Sequence, residues 1–158
     1  MEKLIRLNAK TAIILYLLID TICVGGGMGV PIFCILLGFP LGWYIAKRII
    51  VSTKNSHLIN HRIFKLAFWT SAFTFLQMII IWGIWGRMIP MLFNPMSDFK
   101  NFGMPLILFN PKASFIGWFI LMIFISPFLQ LLTTIFAAFM TLIIKNKNNL
   151  PPTGKNPL

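Results

Sequence analysis

Asp20 is the residue of this chain best placed to do chemistry. Fourteen Lys and Arg face only three acids, and Asp20 alone among those acids stands inside apolar sequence. Tyr16 and Cys23 lie at i−4 and i+3 from it, on one face if the segment is helical. Other polar residues repeat at helical spacing inside other apolar runs. Thr70, Thr74 and Gln77 form one stripe, and Ser126, Gln130, Thr133 or Thr134, and Thr141 form another. Counting inward from the basic ends of each run puts Asp20, Gln77 and Thr134 at matching depth, with Gln130 one turn further along. The expectation is an intramembrane polar seam of Asp20, Tyr16, Gln77, Gln130 and Thr134. Such a seam serves as glue between helices, as a proton or cation site, as a polar pocket for a substrate, or as a contact to a partner subunit.

Other chemistries lack their residues. The chain has only three acids, one of them Glu2 at the terminus, so catalysis by paired carboxylates is not expected. His57 and His61 have the i, i+4 spacing of a helical metal pair, but no Asp, Glu or Cys stands near them. They are read as part of a basic segment facing headgroups, and neither a metal nor a cofactor is expected. Cys23 and Cys34 form no CxxC pair. Buried free thiols are expected, with a disulfide at similar depth as the alternative. No catalytic residue is assigned.

The elements that must hold these residues follow from composition. The chain is 58% hydrophobic, with a mean hydropathy of +0.83 and only 11% charged residues. A soluble domain carries about 25% charged residues, and a disordered chain needs low hydrophobicity. Both are excluded, and the fold class expected is an all-α integral membrane protein with one membrane domain, 1–158. A net charge of +11 would point to nucleic acid in a soluble protein. Here the bases lie between apolar runs, so no nucleic acid is expected. The partners expected are a bilayer with anionic headgroups at its cytoplasmic face and other membrane subunits or further copies of the chain.

Four spans are predicted, at about 11–27, 30–46, 66–85 and 115–144. The run between Lys10 and Lys47 is too long for one crossing and long enough for two. Gly25-Gly26-Gly27-Met28-Gly29-Val30-Pro31 breaks it, which predicts a tight helical hairpin. Lys3, Arg6 and Lys10 before an apolar run imitate a cleavable leader, but Asp20 and the second apolar run directly after it argue for a retained span. Gly38-x-x-x-Gly42, beside Pro40, marks a close helix contact. Residues 47–65 read as a basic loop with an interfacial helix, 86–111 as an outer loop and 148–158 as a mobile tail. A fourth helix from Pro111 to Ile144 would be ~50 Å long against a ~30 Å hydrocarbon core, so it must tilt, protrude or bend, and Pro127 is the natural kink.

Orientation follows from the bases. Lys3, Arg6, Lys10, Lys47, Arg48, Lys54, Arg62, Lys65, Lys145, Lys147 and Lys155 fall on one side of a four-span chain, and only Arg87, Lys100 and Lys112 on the other. Both termini are therefore expected in the cytoplasm. Abundant Lys, Asn, Ile and Phe suit a prokaryotic inner membrane, where the chain would be a multi-pass protein. The outer loop repeats itself: Leu92-Phe93-Asn94-Pro95 and Leu108-Phe109-Asn110-Pro111 are each followed, after three intervening residues, by a Phe, at Phe99 and Phe115. Asn as cap and Pro at the first helical position predict two helix starts. The expected function is that of a non-catalytic subunit or accessory protein of a membrane complex. The alternative is a small proton- or cation-coupled transporter or channel with Asp20 as the titrating site.

Overall fold

The computed structural model describes residues 9–26, 32–52, 56–94, 96–100 and 105–148. Every regular element among them is helical. In chain order these are α1 (Ala9–Gly26), α2 (Ile32–Ser52), α3 (Ser56–Met78), α4 (Met88–Phe93), α5 (Pro111–Ile120) and α6 (Ser126–Asn148). α3 continues into a π-helical segment, Ile79–Trp85, and a second, Leu121–Ile125, joins α5 to α6. Three continuous helical stretches are long and apolar enough to cross a membrane: Ile32–Val51, Leu58–Trp85 and Pro111–Lys145. The apolar part of α1, Thr11–Gly25, is shorter. Large apolar side chains cover the outside, among them Ile14, Leu18 and Ile22 on α1 and Phe128, Phe136 and Ile143 on α6. An outer surface of this kind is compatible with an apolar solvent.

The core lies where helices approach most closely. α2 and α6 touch through Gly38 and Gly42. A Cβ on Gly38 would overlap the Thr133 hydroxyl and stand 2.9 Å from the Gln130 carbonyl oxygen, and one on Gly42 would overlap the Thr134 carbonyl oxygen. The Gly-x-x-x-Gly spacing is thus spent within the chain, letting two backbones meet. The Thr133 hydroxyl then donates across this contact to the Ile35 carbonyl at 2.9 Å.

The stretch 47–65 differs from the loop expected there. α2 runs past Lys47 and Arg48 to Ser52, and α3 already begins at Ser56; residues 53–55 lie outside the described set. The reason is packing. Ile45, Ala46, Ile49, Ile63 and Ala138 form a buried cluster, with Leu41, Ile59 and Leu142 against it. The exposed Lys47, Arg62 and Lys65 interrupt the hydropathy of the sequence but not the apolar face of the helices. Residues 27–31 of the predicted Gly-rich turn and 149–158 of the predicted tail lie outside the described residues.

The two Asn-Pro segments diverge. Asn110 caps α5: its Oδ1 accepts from Lys112 N at 2.9 Å and Ala113 N at 3.3 Å, with Pro111 in the first turn. Asn94 instead closes α4, and its Oδ1 accepts only from Met96 N, at 3.0 Å, within a turn. The first segment therefore ends a helix where a start was expected. The same local signal is decided by burial. Ser114 and Phe115 of the second copy are buried, whereas Asp98, the counterpart of Ser114, is exposed to solvent. Phe99 is half-buried against Phe115, with ring centroids 5.2 Å apart.

The expected bend near Pro127 takes the form of the π-helical segment directly before it. Widening the helix there accommodates a proline ring that would clash with the carbonyl one turn earlier. Pro127 itself is buried, and its carbonyl accepts from Ser71 Oγ of α3 at 2.6 Å.

Candidate functional site: a buried polar cluster around Asp20

Asp20 is fully buried, at 0% exposure, among α1, α3 and α6. α1 contributes Asp20 and Tyr16, one turn apart on its inward face. Thr74 of α3 donates from Oγ1 to Asp20 Oδ2 at 2.8 Å. Gln130 of α6 donates from Nε2 to Asp20 Oδ1 at 3.4 Å and to the Tyr16 hydroxyl, also at 3.4 Å. The Tyr16 hydroxyl donates to the Thr70 carbonyl oxygen at 3.1 Å and lies 3.3 Å from Thr74 Oγ1. No basic side chain pairs with Asp20 among the described residues.

These contacts allow two arrangements of hydrogens on one set of heavy atoms. If Asp20 is ionised, Thr74 and Gln130 donate to it. If it is neutral, its own O–H donates to Thr74 Oγ1, and Thr74 donates to the Thr70 carbonyl, 3.2 Å away. The cluster therefore accommodates either protonation state without rearranging.

Of the expected seam, Asp20, Tyr16 and Gln130 come together, and Gln77 and Thr134 do not join them. Gln77 Nε2 donates to Thr21 Oγ1 at 2.6 Å, on a neighbouring face of α1. The Thr134 hydroxyl donates to the Gln130 carbonyl of its own helix at 2.7 Å, while its backbone lies against Gly42. Thr74 is the member that depth counting passed over. It belongs to the same stripe as Gln77, one turn away, and a turn is only about 5.4 Å. The stripe was visible in the sequence; which of its members met Asp20 depended on helix offset.

Three buried side-chain oxygens have no hydrogen-bond partner among the described residues. They are Gln130 Oε1 and Ser126 Oγ, at i+4 and i on α6, and Gln77 Oε1. An unpaired buried polar atom costs about 1–3 kcal/mol. At the far end of α1, Trp82 Nε1 donates to the Val24 carbonyl at 2.9 Å, supplying a partner to a carbonyl in the helix's last turn. Val24, Cys34 and Met78 pack together beside it, and both cysteines are free thiols.

Two cavities of about 220 Å³ each flank α1. The first, bounded by α1, α2 and α3, carries Tyr44 and Arg48 in its wall, with Arg48 Nη1 donating to the Tyr44 hydroxyl at 2.7 Å. It reaches Tyr16 and Thr70 but not Asp20. Both cavities are bounded mostly by apolar side chains such as Leu41, Ile45 and Leu37. Both reach Tyr16, and Asp20 lines neither. Among the described residues no group of three His, Cys, Asp or Glu is close enough to hold a metal.

No protein-family model, curated protein or solved structure matches this chain.

Proposed function

We propose that this chain is a four-span protein of a prokaryotic inner membrane, with both termini cytoplasmic, acting as a non-catalytic subunit or accessory protein of a membrane complex. The observation that carries the reading is the enclosure of Asp20. A transport site needs an aqueous path, and this carboxyl is fully buried, bonded by Thr74 and Gln130, and does not line either cavity that flanks α1, both of which reach Tyr16. Its role is then to clamp α1 to α3 and α6. α1 otherwise turns large apolar side chains outward along its length, including Ile13, Ile14, Leu18 and Ile22. That face is offered to lipid or to another membrane subunit. Purification from the native membrane in mild detergent tests the reading. A stoichiometric membrane partner, cross-linked from residues of α1, supports it; a chain that purifies alone and conducts protons or cations in vesicles refutes it.

The second reading is a small proton- or cation-coupled transporter or channel with Asp20 as the titrating site. It is favoured by Gln130 Oε1, an acceptor buried without a hydrogen-bond partner among the described residues on the side chain that bonds Asp20. Flux in vesicles that is present in the parent and lost in Asp20→Asn, with the fold intact, would decide for it.

A further inference from the structure

A third cavity, of about 200 Å³, lies between α2 and α6 and is lined by Trp43, Lys47, Thr141, Ile144 and Lys145. Lys47 of α2 and Lys145 of α6, two cationic residues from different helices, both line this recess. Lys47 Nζ sits over the Trp43 ring, 5.6 Å from its centroid. No carboxylate offsets the pair among the described residues: Asp20 is enclosed in the polar cluster, and Asp98 follows α4. The Thr141 hydroxyl is taken by the Ala137 carbonyl at 2.8 Å, which leaves recognition to the lysines and the Trp43 indole. One turn deeper on α2, Phe39 meets Phe136 of α6 edge to face, with centroids 6.5 Å apart. Both rings are largely exposed, at 41% and 54%. Cations, an indole and an apolar aromatic track thus follow one another along a single helix seam.

We propose that this recess binds the phosphate of an anionic phospholipid, with an acyl chain laid along Phe39 and Phe136. Two neighbouring ammonium groups repel each other, and a phosphodiester anion between them removes that repulsion. A zwitterionic lipid offers the same phosphate but adds a cation that the lysines disfavour. An indole at the level of the headgroups and an acyl chain below it match the layered polarity of the bilayer.

The test uses the full chain, stripped of lipid in neutral detergent and titrated with phosphatidylglycerol or phosphatidylcholine carrying brominated acyl chains. The share of tryptophan quenching that disappears in Trp43→Phe reports this recess. Phosphatidylglycerol should titrate that share at least about tenfold more tightly than phosphatidylcholine. The pair Lys47→Gln with Lys145→Gln should weaken it by about 10- to 30-fold, and the pair Lys47→Arg with Lys145→Arg should retain it. The control pair Lys100→Gln with Lys112→Gln should leave it unchanged. Equal affinity for the two lipids, or no loss in the glutamine pair, overturns the proposal. Displacement of the lipid by millimolar inorganic phosphate overturns it too, because the recess would then take a free anion.

Discussion

Thr74 and Asp20, 54 residues apart, meet through a 2.8 Å hydrogen bond that ties α3 to α1. Both side chains are fully buried, at 0% exposure. Together with the contacts of Tyr16 to Thr70, of Thr21 to Gln77 and of the Val24 carbonyl to Trp82, this bond holds α1 in register against α3.

Thr74→Val keeps the shape of the side chain and removes the donor. Interhelical hydrogen bonds in membranes average about 0.6 kcal/mol, with a maximum near 1.7. The substitution should cost an amount near the upper value, since it also leaves a carboxyl oxygen without its donor. Thr134→Val should cost much less, because the Thr134 hydroxyl bonds only within its own helix. Unfolding in mixed detergent micelles measures both; equal losses would mean that the Asp20 contact has no special weight.

Gly42→Ala introduces a methyl group where the Thr134 carbonyl lies. Since the overlap is with backbone, no side-chain rotation relieves it, and α2 must move from α6. Overpacking of this kind costs about 1–3 kcal/mol. Loss of thermal stability in the isolated chain is the expected result. If stability held and only self-association fell, the Gly38 and Gly42 face would be a contact between copies.

Asn110→Ala should destabilise by about 0.5–2 kcal/mol, since it removes the acceptor for two amides of the first turn of α5. Asn94→Ala should cost less, because Asn94 holds one amide in an exposed turn. Hydrogen exchange at Lys112 and Ala113 should accelerate in the first variant and stay unchanged in the second.

The contrast between those two asparagines shows where sequence reading stopped. Helix type, the apolar stretches, the Asn110 cap and the distortion near Pro127 all depend on local rules, and each was legible. The end of α4 at Asn94 was not, because two segments with the same Leu-Phe-Asn-Pro start differ in what packs behind them. The extension of α2 and α3 past their basic residues was obscured for a similar reason. Windowed hydropathy averages over a helix, whereas Ile49, Ile59 and Ile63 act from one face. At the polar cluster, Asp20, Tyr16 and Gln130 were legible from type and spacing. Choosing Thr74 over Gln77 required the axial offset of α3 against α1, which only tertiary packing sets.

Topology is directly measurable. Reporter fusions after Asn55 and after Leu158 should read as cytoplasmic, and one after Asn101 as external, following the clustering of bases on one side. A cytoplasmic signal at Asn101 would require α1 or the long α5–α6 stretch to do something other than cross.

Asp20→Asn should leave the fold intact and its stability unchanged. The carboxamide oxygen can accept from Thr74 as Asp20 Oδ2 does now. The new NH₂ group adds a donor next to Gln130, whose Oε1 is buried without a partner. Rotation of the Gln130 amide would bring that oxygen to face it, in exchange for the Gln130 Nε2 contacts to Asp20 and Tyr16. Asp20→Leu, by contrast, strands the donors of Thr74 and Gln130 and should lower stability by roughly 1–3 kcal/mol. The pair separates structure from transport. An Asn variant that assembles normally with its partner, beside a Leu variant that does not, is the pattern of a clamp. An Asn variant that assembles but abolishes a flux measured in the parent is the pattern of a titrating site. An Asn variant as damaged as the Leu variant would show that the cluster requires the carboxylate charge itself, and the hydrogen-bond account of α1 docking would have to be abandoned.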